Sequence, residues 1–116
     1  MLKADFFTNK ESGSITLKLT GHAGQAKKGE DIVCASASIL AYTVAQALQF
    51  MYEQGDLVKK PHIKLEDGDA IIVARPKEDA YAEALHIFFV AQVGYHLLAY
   101  NYPQYVTLSS FGDSET

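Results

Sequence analysis

Between Ala80 and Tyr100 the chain carries a single Asp, Glu, Lys or Arg, Glu83. Read as a helix over about 79–100, this segment places Tyr81, Leu85, Phe88, Phe89 and Tyr95 near one face. Ile87, Ala91, Gly94 and Leu98 fall on the other. A helix that is apolar nearly all round must be covered on both sides. A chain of 116 residues builds one modest core, so a second subunit is expected to supply part of that cover. Gln92, Gly94 and His96 interrupt the segment, and it falls short of the roughly 18 consecutive apolar residues that span a bilayer.

The remaining elements follow from periodicity. Strands are expected at 3–8 and 14–20, joined through Asn9-Lys10-Glu11-Ser12-Gly13. In the second, Ile15, Leu17 and Leu19 alternate with Thr16, Lys18 and Thr20, as in a half-buried strand. A polar, glycine-punctuated loop runs from Gly21 to about Gly29. A long helix follows from about Asp31 to Gln54, its apolar stripe set by Val33, Ala37, Leu40, Val44, Leu48 and Met51. Asp31 is placed to cap its start, and Gly55 to stop it. A hairpin at 62–66 and 70–75 turns through Asp67-Gly68, and a short strand at 105–109 closes the chain. The expectation is one α+β domain over 1–116, of order ββαββαβ, with a mostly antiparallel sheet, two helices packed on it, and a frayed tail at 112–116.

Bulk properties narrow the function. Formal charge is -4, and the lysines pair only at Lys27-Lys28 and Lys59-Lys60, so no basic face for direct nucleic-acid binding is expected. The first residues read straight into a strand, with no basic and then apolar leader, so neither export nor a membrane partner is expected. The lone cysteine fits a reducing cytoplasm. No C-x-x-C, H-E-x-x-H, H-x-H, G-x-G-x-x-G or P-loop spacing occurs, and no metal or cofactor is expected. His86 and His96 lie about 280° apart around a helix and cannot chelate together. They are read as structural, as is His62.

A lone cysteine on an amphipathic helix is usually a small buried hydrophobe. Cys34, however, falls in a first turn, where unpaired N–H groups and the macrodipole favour an anion and are expected to lower the thiol's pKa. Its backbone N–H would serve there as an oxyanion donor. It lies away from the Val33, Ala37, Leu40 stripe and shares a face with Ser38. His22 ends the second strand between Gly21 and Ala23-Gly24, small neighbours that leave its ring open. It is either a surface loop histidine or the base that takes the thiol proton. Asp31 is either a plain cap or a third group steering His22. Ser38 either bonds back to its own helix or contacts substrate or His22. Gly21 is required at least for backbone geometry, and the loop at 23–30 is expected to close over substrate.

Gly21-His22-Ala23-Gly24, followed by Gly29-Glu30-Asp31-Ile32-Val33-Cys34-Ala35 and then Ser38, resembles the ribosomal-processing cysteine protease Prp family. That family carries G-H-A-G and G-x-D-I-V-C-A-x-x-S segments at this separation, and its order of elements looks like the one read above. Ser36 and Ala37 are a mild departure at the rim of the motif. The resemblance implies a small homodimeric cysteine endopeptidase that removes the N-terminal extension of large-subunit ribosomal protein twenty-seven, cutting after a hydrophobic, aromatic-rich stretch. It implies Cys34 as nucleophile and His22 as general base, with Asp31, Ser38 and Gly21 in support. The alternatives are another thiol acyl-transfer enzyme, or a non-catalytic ribosome-associated binding module with Cys34 in its core.

Overall fold

The structure is a computed structural model in which residues 1–23 and 31–113 are described, the last four of these as backbone only. The strands are β1 (Leu2–Asn9), β2 (Ser14–Thr20), β3 (His62–Glu66), β4 (Asp69–Ala74) and β5 (Val106–Asp113). The helices are α1 (Ile32–Glu53) and α2 (Tyr81–Asn101), the latter entered through a 3₁₀ turn at Glu78–Ala80. The order ββαββαβ is the expected one.

The five strands form one sheet in the order β3-β4-β2-β1-β5. The pairings β1–β2, β2–β4 and β3–β4 are antiparallel, and β1–β5 is parallel. The registers set Leu17 between Phe6 and Ile72, and Leu19 between Ala4 and Ala70. Strand side chains alternate between faces, so these rows stack into one continuous apolar face. All six residues are buried.

β5 runs further than the sequence indicated. Gly112 pairs with Phe7 and Asp113 with Thr8, past a register shift between Asp5 and Phe7. The expectation of a frayed tail at 112–116 is corrected for Gly112 and Asp113 alone, since backbone pairing with β1 needs no apolar side chain. Residues 114–116 lie outside the described residues, as does the 24–30 part of the loop expected to cover substrate.

α1 buries Val33, Ala37, Ala41, Val44, Ala45, Leu48 and Met51. α2 buries Ala84, Phe88, Ala91 and Tyr95, at spacings of four, three and four. That stripe mixes the two faces read from sequence, and Phe89, grouped there with Phe88 and Tyr95, is 51% exposed. The reason lies in the small residues. A Cβ on Gly94 would come within 2.8 Å of the Leu40 methyl carbons, so α2 meets α1 along its alanines and this glycine. The larger Phe89, Val90 and Leu97 point away from the core. Both helices are long and apolar enough to cross a membrane by length and composition alone, yet each lays a buried stripe into the core.

Tyr95 joins the layers. It is fully buried, its ring centroid lies 5.9 Å from that of Phe6 in β1, and its hydroxyl donates a 2.7 Å hydrogen bond to the Ala37 carbonyl of α1. Burial pushes its phenol well above the usual tyrosine range, so it remains a donor. Tyr95→Phe should cost about 1 kcal/mol, the net worth of such a bond. Tyr95→Ala should cost about 3–5 kcal/mol through the cavity it leaves. Thermal unfolding followed by circular dichroism checks both, the phenylalanine variant melting several degrees lower (roughly 3–6 °C for a domain of this size).

Candidate active site

β2 ends at Thr20, and the chain turns through Gly21 at φ +83°. A Cβ there would collide with the carbonyl oxygen of Met1, so the position accepts only glycine, for reasons of backbone shape and space. Register pairs Thr20 with Asp69 across β2–β4. The β3–β4 turn therefore stands beside the end of β2, and the Gly21 N–H donates to the Gly68 carbonyl at 3.0 Å. His22 follows, its imidazole half-open to solvent and its Nδ1 3.7 Å from Asp67 Oδ1.

Asp31 occupies the cap position of α1 with extended backbone, and its Oδ1 accepts a 2.9 Å hydrogen bond from the Cys34 N–H. This corrects one expectation. The Cys34 N–H is committed to the cap carboxylate and is not a free donor for an oxyanion. Asp31 is in this structure a helix cap beside the thiol, and the carboxylate near His22 is Asp67.

Cys34 is partly buried, and its Sγ accepts a hydrogen bond from the Ala23 N–H at 3.4 Å. Burial pushes the thiol above its ordinary value. The Ala23 N–H pulls the other way, and the carboxylates of Asp31 and then Asp67 push it further up. The expected lowering at a helix start is thus reversed. Partial desolvation and the two anions act against the lowering expected at a helix start.

One cleft of about 200 Å³ gathers most of the sequence-predicted residues: Gly21, His22, Cys34 and Ser38 line it together. Among the described residues, His22 and Cys34 share its wall without a hydrogen bond between them, an arrangement common where such bonds tighten only around substrate. Hydroxyl bonds back to the helix are made by Ser36 and Thr43, whereas Ser38 is exposed on the cleft wall. Leu2, Leu19, Ala41, Tyr42 and Leu65 make the cleft partly apolar. Sequence reasoning missed Asp67 and Gly68 as site residues. Their dipeptide signalled a hairpin turn, and only the pairing of β4 with β2 carries that turn to His22.

A thiol in the first turn of a helix shares a solvent-open cleft with the histidine that follows β2, a placement seen in thiol-dependent hydrolases. The sequence pattern of the family described as cysteine protease Prp matches residues 1–107, and the chain belongs to that family and is a cysteine protease. It is similar to the essential ribosomal processing protease of S. aureus, solved in complex with a covalently linked product peptide, at 25% identity and a TM-score of 0.69. That match covers 97% of this chain and 100% of the other. A Streptococcus mutans protein is similar at 26% identity and a TM-score of 0.68, covering 98% of this chain and 96% of that one. No curated protein matches the sequence.

The two functions of Asp31 are separable. Asp31→Asn keeps a good cap and removes the charge, whereas Asp31→Ala removes both and should cost about 1 kcal/mol. Both variants should shift the pH profile of Cys34 alkylation by iodoacetamide to lower pH, because a carboxylate opposing the thiolate is gone. Only Asp31→Ala should melt appreciably earlier.

Proposed function

We propose that this cysteine protease removes the short N-terminal extension of a ribosomal protein precursor, large-subunit protein twenty-seven, using Cys34 as nucleophile and His22 as general base. The observation that carries this reading is the joint placement of Cys34 and His22 on one partly apolar cleft. The S. aureus relative, named a ribosomal processing protease, supports the substrate class. The apolar wall of Leu2, Leu19, Tyr42 and Leu65 suits a hydrophobic, aromatic-rich stretch ahead of the cut.

The chemistry follows from the raised thiol. His22 takes the Cys34 proton as the peptide docks, and the thiolate sulfur attacks the scissile carbonyl carbon. The tetrahedral intermediate collapses as the leaving amine takes the proton from His22, leaving a thioester on Sγ. Water then attacks the thioester and gives a proton to His22. As the second tetrahedral intermediate collapses, His22 returns that proton to the departing Cys34 sulfur, the acid product ionising to solvent. Asp31 fixes the helix start that carries Sγ, Gly21 fixes the turn that carries His22, and Ser38 lies where it can touch the peptide.

The active species in this reading is a homodimer in the cytoplasm, where precursor ribosomal proteins are made and a lone thiol stays reduced. Val90, Val93 and Leu97 of α2 and Ile39 and Phe50 of α1 are exposed apolar side chains. A groove of about 660 Å³ between the helices is lined by Leu40, Ala47, Ile87 and Val90. A second copy is the partner that would cover this surface.

A peptide spanning such an extension, incubated with the protein and read by mass, tests the reaction. Cleavage at one bond is expected, with Cys34→Ala and His22→Ala slower by about a thousandfold or more. Undiminished cleavage by Cys34→Ala overturns the reading, and a thioester without cleavage assigns acyl transfer instead. Sedimentation should give a dimer mass at micromolar concentration and a monomer for Val90→Glu; a monomeric parent would overturn the dimer.

A further inference from the structure

We propose that Asp67 and Gly68 are positioning residues for His22, the β3–β4 turn forming a platform that sets the ring's direction and steadies the imidazolium. The proposal rests on the reading of His22 as the base and adds the groups that hold it. Three contacts point the same way. Asp67 Oδ1 lies 3.7 Å from Nδ1 of the imidazole. The ring rests against Gly68, where a Cβ would come within 2.6 Å of Nε2 and 3.0 Å of Cε1. The Gly21 N–H bond to the Gly68 carbonyl, 3.0 Å long, ties the residue before His22 to the same turn. Carboxylate, ring bed and backbone tie thus all come from two adjacent residues of one hairpin.

Charge gives the platform a second effect. Among the described residues, the charged groups acting on the thiol are Asp31 from the cap of α1 and Asp67 from the turn, and His22 from the loop after β2 lines the same cleft. Glu66 and Asp69 also line the cleft, the latter paired with Lys64 at 2.7 Å. Asp67 opposes a bare thiolate. Its carboxylate lies beside the ring that takes the Cys34 proton in the proposed reaction. Both side chains of the pair are more than half exposed, so its contribution to folding is small and its effect lies in orientation and protonation.

Asp67→Asn, Asp67→Glu, Gly68→Ala and Gly13→Ala test this. Asp67→Asn should lower kcat about tenfold, with KM little changed and the melting temperature unaltered. The pH profile of Cys34 alkylation should move to lower pH, since the thiol loses an anionic neighbour. Asp67→Glu should recover part of kcat. Gly68→Ala should lose kcat as well, because its new methyl displaces the ring. Gly13 has nearly the same backbone angle, φ +72° against +75°, with nothing within 4 Å of a Cβ. Gly13→Ala thus imposes the same backbone strain and should keep full kcat. Parental kcat and an unmoved profile in Asp67→Asn, or equal losses in Gly68→Ala and Gly13→Ala, would overturn the proposal. The pH profile of Cys34 alkylation by iodoacetamide needs no peptide, so the platform can be judged even if the substrate assigned above is wrong.

Discussion

The buried hydroxyl of Tyr95, bonded to the Ala37 carbonyl, is the contact through which the rest of the molecule is arranged. A carbonyl in a helix already accepts one backbone bond and has a second lone pair to offer, and Tyr95 takes that second one. The same ring lies tilted against Phe6 at the centre of the sheet. One side chain of α2 therefore fixes the distance of α1 from β1. Ala37 is one turn beyond Cys34 and lines the cleft itself. The height of the thiol over the end of β2 is set by a residue that never touches the site.

Against that rigid frame the cleft's charges are arranged unusually for a nucleophile. A helix start should favour an anion, but here it carries its own: Asp31 takes the Cys34 N–H, one of the donors a helix start offers. The carboxylate gives the helix a defined first turn and at the same time opposes ionisation of the side chain three residues on. Burial is the largest influence on the thiol and raises it, and the Ala23 N–H on the sulfur offsets the net rise only in part. In the proposed reaction, ionisation of Cys34 therefore depends on a nearby base, the role proposed for His22.

Much of this was legible in the sequence, and what was not has physical causes. Alternation at Ile15, Leu17 and Leu19 and the stripe from Val33 to Met51 located β2 and α1 because each has one wet face. α2 has no such contrast. Its buried stripe, Ala84-Phe88-Ala91-Tyr95, is chosen by close approach at small residues, and Phe89 is as apolar as Phe88 although it faces outward. β5 was read too short because its last residues are held by backbone pairing, which leaves no apolar signature. Within the site, Cys34, His22, Gly21 and Ser38 were identified from a local motif and do line one cleft. Asp67 and Gly68 lie 45 or more positions along the chain from His22, and their proximity exists only through the β2–β4 pairing. The cap role of Asp31 was readable, but its effect on the thiol required the geometry.

The division of labour between the two aspartates gives the cleft its logic. With Asp31 spent on the helix and Asp67 beside the imidazole, each negative charge has a structural partner, and neither alone favours a free thiolate. Small electrophiles and oxidants act on the thiolate, and burial and the two carboxylates oppose its formation at Cys34. In the proposed reaction, a docked peptide brings His22 and Cys34 together and excludes water. The proton transfer then creates an ion pair in a drier site, where the attraction between its members is stronger. On that proposal, selectivity for a peptide that fills the apolar cleft would arise from the same charges that oppose the isolated thiolate.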